Sequence, residues 1–179
     1  LMQSIEKEGV IVPALARPKA NGGYELIAGH RRKAACKWEG LDCMPVVIRD
    51  LDDNQSVIAM VDSNLQREHL KPSEKAFAYK LKMDALSHQG TSRQLGEKWS
   101  VSQLSEAGTD SERQIHRYIR LTELIPQILS MVDAGKIALT PAVELSYLTG
   151  QEQQDLLETM ESEDCTPSLS QAIQMKKLS

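Results

Sequence analysis

The sequence predicts an α+β protein in two parts, a small α/β domain over residues 1–70 and an all-helical domain over residues 71–179. Three observations carry that reading. Short runs of β-formers bounded by Gly, Pro and Asn occur ahead of Pro72 and fade beyond it. From Pro72 onward apolar residues recur at helical spacing. The length of 179 residues, with 41% apolar and 26% charged side chains, is ordinary globular material with room for two small cores.

Leu1, Met2 and Ile5 make the apolar face of a short helix that Gly9 can end. Residues 10–17 read as a strand, with Pro13 confining that part to a strand start or an edge because it has no N–H to give. Ala20, Asn21, Gly22 and Gly23 form a turn into a second strand, where Tyr24, Leu26 and Ala28 alternate with Glu25 and Ile27. Gly29 turns the chain into a helix over residues 31–39, with Ala34, Ala35 and Trp38 facing the core and Gly40 stopping it. Residues 45–48 make a third strand, and Asp50, Asp52 and Asp53 an acidic loop. Val57, Ile58, Met60, Val61 and Leu65 then mark a helical face.

Pro72 suits the first position of a helix in which Ala76, Tyr79, Met83 and Leu86 share a face and which Gly90 ends. A helix-turn-helix follows at about residues 101–120. Val101 and Leu104 belong to its first helix, Gly108 to the turn, and residues 111–120 to its second helix, with Ile115 and Ile119 inward. That second helix carries Arg113, Gln114, His116, Arg117 and Arg120, mostly outward, as a recognition helix would. A plain helical bundle with a solvated basic face fits the same pattern. Further helices are expected over residues 125–134, closed by Gly135, over 141–148, closed by Gly150, and over 152–160, with one more opening at Pro167 and Ser168.

Composition excludes several function classes. A single Phe leaves little aromatic surface for stacking single-stranded bases. Cysteines at 36, 43 and 165 form no C-x-x-C pair and leave one over, which suits a reduced, cytosolic protein without a zinc site. No apolar run approaches the roughly 20 residues of a membrane span. The chain begins at Leu1 rather than at a Met, as a fragment of a longer protein would. The net charge of −4 is uneven: residues 71–124 carry 9 basic and 7 acidic side chains, a net of +2, whereas residues 125–179 carry 3 and 8, a net of −5. Any DNA-facing surface is therefore local.

The strongest chemical signal is the strand, glycine turn and basic helix start around Gly29. The first turn of such a helix offers unpaired N–H groups and the positive end of its dipole, and His30, Arg31, Arg32 and Lys33 add side-chain donors. An anion such as a phosphate is the natural guest, although a solvated surface helix shows the same run.

Three segments together resemble the ParB family of chromosome and plasmid partition proteins. Residues 9–17 resemble its first box, and Ala28-Gly29-His30-Arg31-Arg32-Lys33-Ala34-Ala35 its G-[EH]-R-R box. Residues 63–76 fit its third, N-x-Q-R-E-x-L-x-P-x-E-x-A, from Asn64 through Gln66, Arg67, Glu68, Leu70, Pro72 and Glu74 to Ala76. The resemblance implies an N-terminal ParB/sulfiredoxin-like fold that binds CTP with magnesium, and a helix-turn-helix that reads a palindromic centromere-like site in double-stranded DNA. It also implies nucleotide-driven dimerisation into a sliding clamp, a partner partition ATPase and a nucleoid-associated location. Carried over, Gly29, His30, Arg31, Arg32, Asn64 and Arg67 are the nucleotide residues, with Asn64 also the metal ligand. Ser111, Arg113, Gln114, His116, Arg117 and Arg120 are the DNA residues.

Two positions depart from the pattern. Many members carry Glu where this chain has His30 and Ser63. Those acids are associated with the metal or with hydrolysis, so their loss weighs against CTP turnover more than against phosphate binding and leaves at most a weak CTP hydrolase. The same N-terminal fold resembles sulfiredoxin, whose reactive Cys precedes the His-Arg pair; here Gly29 stands there, and Cys36 is read as a packing residue. A purely structural N-terminal domain attached to a DNA-binding regulator or nucleoid occlusion factor is the third reading.

Overall fold

Pro13 sets where the first strand begins. In the computed structural model, which describes residues 9–67, 69–90 and 110–179, strand β1 runs Ala14–Pro18. It does not start at residue 10, as the β-former run suggested, because the ladder needs a donor that proline lacks. β1 pairs antiparallel with β2, Tyr24–Ala28, through a hairpin whose Gly22 and Gly23 both have positive φ. β3, Val46–Ile48, lies parallel to β1 on its other side, giving the order β2-β1-β3. The register sets Ala16 between Leu26 and Ile48, so these three share one face, while Arg17 faces the other side opposite Glu25.

Helix α1, His30–Trp38, is the crossover that a parallel β1/β3 pair requires. It buries Ala35 and Cys36, at 5% and 3% exposure, whereas Trp38 is 80% exposed. The expected core face of Ala34, Ala35 and Trp38 is therefore rotated. With about 100° per residue, a stripe centred between Ala35 and Cys36 leaves Trp38 roughly 110° off the buried face. On β2 it is Ile27 that is buried, with Tyr24 largely in solvent.

Helix α2, Asp53–Leu65, packs against β2. Asp52, read from sequence as part of an acidic loop, is its N-cap: the Gln55 N–H donates to Asp52 Oδ1 at 2.7 Å and the Asp52 N–H to Gln55 Oε1 at 3.1 Å, a full capping box. Arg17 fastens the sheet to this start, pairing with Glu25 and Asp53 at 2.7 Å each and donating to the Leu51 carbonyl at 3.2 Å.

The chain divides into two compact units at Gln66/Arg67. The second unit consists, among the described residues, of helices α3, Pro72–Gly90; α4, Glu112–Arg120, continued by a 3-10 turn at Leu121–Glu123; α5, Pro126–Asp133; α6, Leu139–Leu145; α7, Gly150–Glu163; and α8, Leu169–Leu178. Its core gathers Ala76 of α3, Leu121, Ile128 of α5, Ala142 and Leu145 of α6, Leu157 of α7 and Ala172 of α8. Gly150 opens α7 and does not end the preceding helix, because Thr149 and Glu152 form a capping box around it. Ser168 caps α8 in the same way with Gln171. Gln153, 2% exposed, holds the interior of this unit: its Oε1 accepts from the Ile125 N–H at 2.8 Å, and its Nε2 donates to the carbonyls of Leu148 at 3.0 Å and Glu123 at 3.2 Å. Val101, Leu104 and Gly108, which carry the expected first helix and turn of the helix-turn-helix, lie outside the described residues, as does Glu68.

Candidate functional site

Gly29 is needed for two independent reasons. Its φ is 107°, in the region L side chains avoid, and a Cβ added there would stand 2.7 Å from the Ala14 Cβ and 3.2 Å from the Ala14 Cα. The turn thereby lets the α1 start lie directly against β1. No side chain caps α1 and no acid occupies its first turn. Among the described residues its leading N–H groups therefore have no side-chain partner, and an anion would be stabilised there.

The four basic side chains of this turn divide. His30, Arg31 and Lys33 are exposed and make no hydrogen bond or ion pair among the described residues. Arg32 is half-buried and committed to the fold: its Nη1 donates to the carbonyl of Val12 and, at 2.8 Å, to that of Pro13. This clamp accounts for residues 12 and 13, whose carbonyls meet a guanidinium rather than the neighbouring strand, and no sequence signal indicates it. Asn64 and Ser63 sit half-buried in the last turn of α2. Arg67 is exposed and opens the second unit. No cluster of three or more His, Cys, Asp or Glu side chains suited to a metal occurs among the described residues. Cys36 is buried packing, and Cys43 and Cys165 are exposed free thiols.

A second feature of this unit was not read from sequence. A cavity of about 690 Å³ opens over the Ala16, Leu26 and Ile48 face of the sheet, walled by Tyr24, Leu41 and Cys36. The alternation of Tyr24 and Leu26 was its signal.

In the helical unit, Ser111 caps α4, its hydroxyl accepting from the Gln114 N–H, and Ile115, fully buried, anchors the helix. Arg113 and His116 project into solvent. The other three polar residues expected outward are half-buried and bonded within the unit. Arg117 donates to Thr140 Oγ1 at 2.5 Å and to Gln114 Oε1 at 3.3 Å. Arg120 donates from Nε to Ser146 Oγ at 3.2 Å and from Nη2 to the Ser146 carbonyl, with its guanidinium over the Tyr147 ring at 4.1 Å. Thr140, Ser146 and Tyr147 are the partners the sequence reading missed. Just before the cap, Asp110 accepts from Tyr79 Oη at 2.7 Å and Lys75 Nζ at 2.9 Å, both on α3. Partial burial pushes its carboxyl pKa up, but these two donors outweigh that and hold it below the usual carboxylate value.

A sequence model described as the ParB N-terminal domain matches residues 1–65. A probable chromosome 1-partitioning protein ParB of Deinococcus radiodurans is 34% identical over 143 residues, 79% of this chain and 45% of that protein. The chromosome-partitioning protein Spo0J of Thermus thermophilus is 31% identical over 154 residues, 86% of this chain and 52% of that protein. The chain spans about half the length of these curated relatives. Among solved structures, the C-terminally truncated chromosome-partitioning protein ParB from Caulobacter crescentus, complexed to the centromeric parS site, matches with a TM-score of 0.64 at 20% identity, covering 99% of this chain and 87% of that one. The likeness is one of fold, and it is the α+β fold expected from sequence.

Proposed function

This chain belongs to the ParB family of partition proteins, and from that premise we propose that it is a sequence-specific binder of double-stranded DNA that acts in chromosome or plasmid partition as a CTP-gated clamp. The observation that carries the DNA reading is α4, anchored by Ile115 and presenting Arg113 and His116 to solvent on a short, N-capped helix. Side chains of this kind serve phosphate oxygens and base edges in the major groove. A palindromic site, self-association as a dimer, a partner partition ATPase and a nucleoid-associated location complete the reading. No helix among the described residues is long and apolar enough to cross a membrane.

The nucleotide arm rests on the uncapped, acid-free start of α1. A triphosphate fits this chemistry: the first-turn N–H groups and the free Arg31, His30 and Lys33 side chains offer donors and positive charge, while Arg32 holds the Val12 and Pro13 backbone in place beside them. Magnesium would be carried chiefly by the phosphates, with the Asn64 amide oxygen as the ligand this chain supplies. When bound, the pair supplies a charge switch. With His30 and Ser63 in place of two carboxylates, the site lacks the two acids that would orient a water or hold the cation there, so hydrolysis is slow or absent. A sulfiredoxin-like reductase finds no support, since Gly29 replaces the reactive thiol and Cys36 is buried.

Isothermal titration with each nucleoside triphosphate and magnesium, with and without duplex DNA, tests the reading. CTP should bind to the wild type and fail to bind to Arg31→Ala. No binding of any triphosphate in the presence of DNA would remove the nucleotide arm, and no salt-dependent duplex binding would remove the DNA arm.

A further inference from the structure

Arg120 is the last basic residue of α4, half-buried, and two of its donors are bonded within the unit. Its Nε and Nη2 go to the hydroxyl and carbonyl of Ser146. Ser146 is itself buried at 3% and donates to the Val143 carbonyl at 2.7 Å. The guanidinium covers one part of the Tyr147 ring at 4.1 Å, and Lys176 Nζ of α8 stands 3.6 Å from the same ring centroid while pairing with Glu144 of α6 at 2.8 Å. Two cations on one aromatic ring, each also bonded to α6 or the turn after it, join α4, α6 and α8 at one point. Cation–ring contacts and fork-shaped donor geometry are both directional, so they constrain angle as well as distance. Tyr147 and Val143 also line, with Arg113, His116, Arg117 and Arg120 itself, a groove of about 550 Å³ along α4.

We infer that Arg120 is a positioning residue, which sets the angle of α4 against α6 through Ser146 and Tyr147 and so aims Arg113 and His116 at DNA without itself meeting a phosphate. This rests on the DNA reading above and divides its basic residues by role. A phosphate contact and a positioning contact leave different marks. Each phosphate-neutralising side chain contributes about 0.9 to the slope of log Kobs against log salt concentration, and a residue bonded only within the protein contributes none. A lost angle weakens binding to the correct site more than to random sequence, because base contacts need register and phosphate contacts tolerate error.

The experiment measures anisotropy of two fluorescein-labelled duplexes, one carrying the site that the wild-type chain selects from a random library and one with that site scrambled, over a series of salt concentrations. Arg120→Ala should lower affinity for the selected duplex by about tenfold or more, reduce the selected-to-scrambled ratio and leave the salt slope at its wild-type value. Arg113→Ala should instead flatten the slope by about 0.9. Arg120→Lys should recover part of the ratio, since an ammonium can still sit over Tyr147. Tyr147→Leu, which changes no charge, should reproduce the Arg120→Ala pattern, and it carries the test alone if circular dichroism shows Arg120→Ala unfolded. A slope flattened by Arg120→Ala as by Arg113→Ala overturns the inference. So does a selected-to-scrambled ratio unchanged in both Arg120→Ala and Tyr147→Leu, which is what mere destabilisation would give. A wild type that selects no site and binds neither duplex overturns the DNA reading itself, a distinct result.

Discussion

Replacing Gly29 by Ala should loosen the sheet far more than replacing Gly40 by Ala, although both glycines have positive φ. At Gly29 the φ of 107° is disfavoured for any L residue, at about 1–3 kcal/mol. The added Cβ would also lie 2.7 Å from the Ala14 Cβ, and the atom behind it is strand backbone, the Ala14 Cα at 3.2 Å. Ala14 is 1% exposed and held beside β3 by its pairing with Val46 and its N–H bond to the Pro45 carbonyl, so it has little room to retreat. Overpacking of that kind adds about 1–3 kcal/mol, making about 2–6 kcal/mol in all. At Gly40, with φ of 70°, an added Cβ meets nothing within 4 Å, and only the conformational cost of about 1–2 kcal/mol applies. Hydrogen exchange followed by mass spectrometry on peptides covering residues 14–28 reads the difference. Gly29→Ala should speed exchange there about 30-fold to 20,000-fold, and Gly40→Ala about 5-fold to 30-fold. Equal acceleration by the two variants would refute the close-approach argument and leave Gly29 with only its φ. Gly29→Ala should also weaken nucleotide binding, since the α1 start would move off β1.

Gln153→Leu should destabilise the helical unit by about 2–4 kcal/mol in urea unfolding, because it strands the Ile125 N–H and two carbonyls in the interior; a loss under about 1 kcal/mol would show those groups finding other partners. Asp110 should make that unit acid-sensitive. Its folded pKa lies below its unfolded one, so its contribution is full above about pH 4 and is lost as pH falls through the folded value. The stability gap between wild type and Asp110→Asn should therefore close below about pH 4, and a gap that stays constant down to pH 2 would assign the effect elsewhere. Phosphate release from CTP should be slow or undetectable with and without DNA. Brisk release stimulated by DNA would show that Asp62 or another group replaces the missing carboxylates.

Legibility follows the range of the interaction. Pro13, Gly29 and the order of three short strands and a crossover helix were readable because they rest on single-residue backbone chemistry and on alternation over five residues. The basic start of α1 and the polar face of α4 were readable for the same reason, as runs of adjacent residues. The capping boxes at Asp52, Thr149 and Ser168 are short-range signatures too, yet Asp52 reads equally as an acidic loop and Gly150 as a helix end, since both residue types also suit loops.

The residues by themselves determined the fold class, the family boxes and where the basic runs lie along the chain. Only the tertiary structure decided what each basic side chain is bound to. Arg31 and Arg32 are neighbours of identical chemistry, and among the described residues one makes no side-chain bond while the other grips Val12 and Pro13, some 20 positions away. Arg113 and Arg120 share a helix, and one faces solvent while the other closes on Ser146 and Tyr147 of a different segment. Trp38 turned outward because two small residues, Ala35 and Cys36, set the rotation of α1 on the sheet. In each case the outcome depends on distances between segments remote in sequence, and a guanidinium satisfies whichever carbonyl, hydroxyl or ring the fold brings within reach.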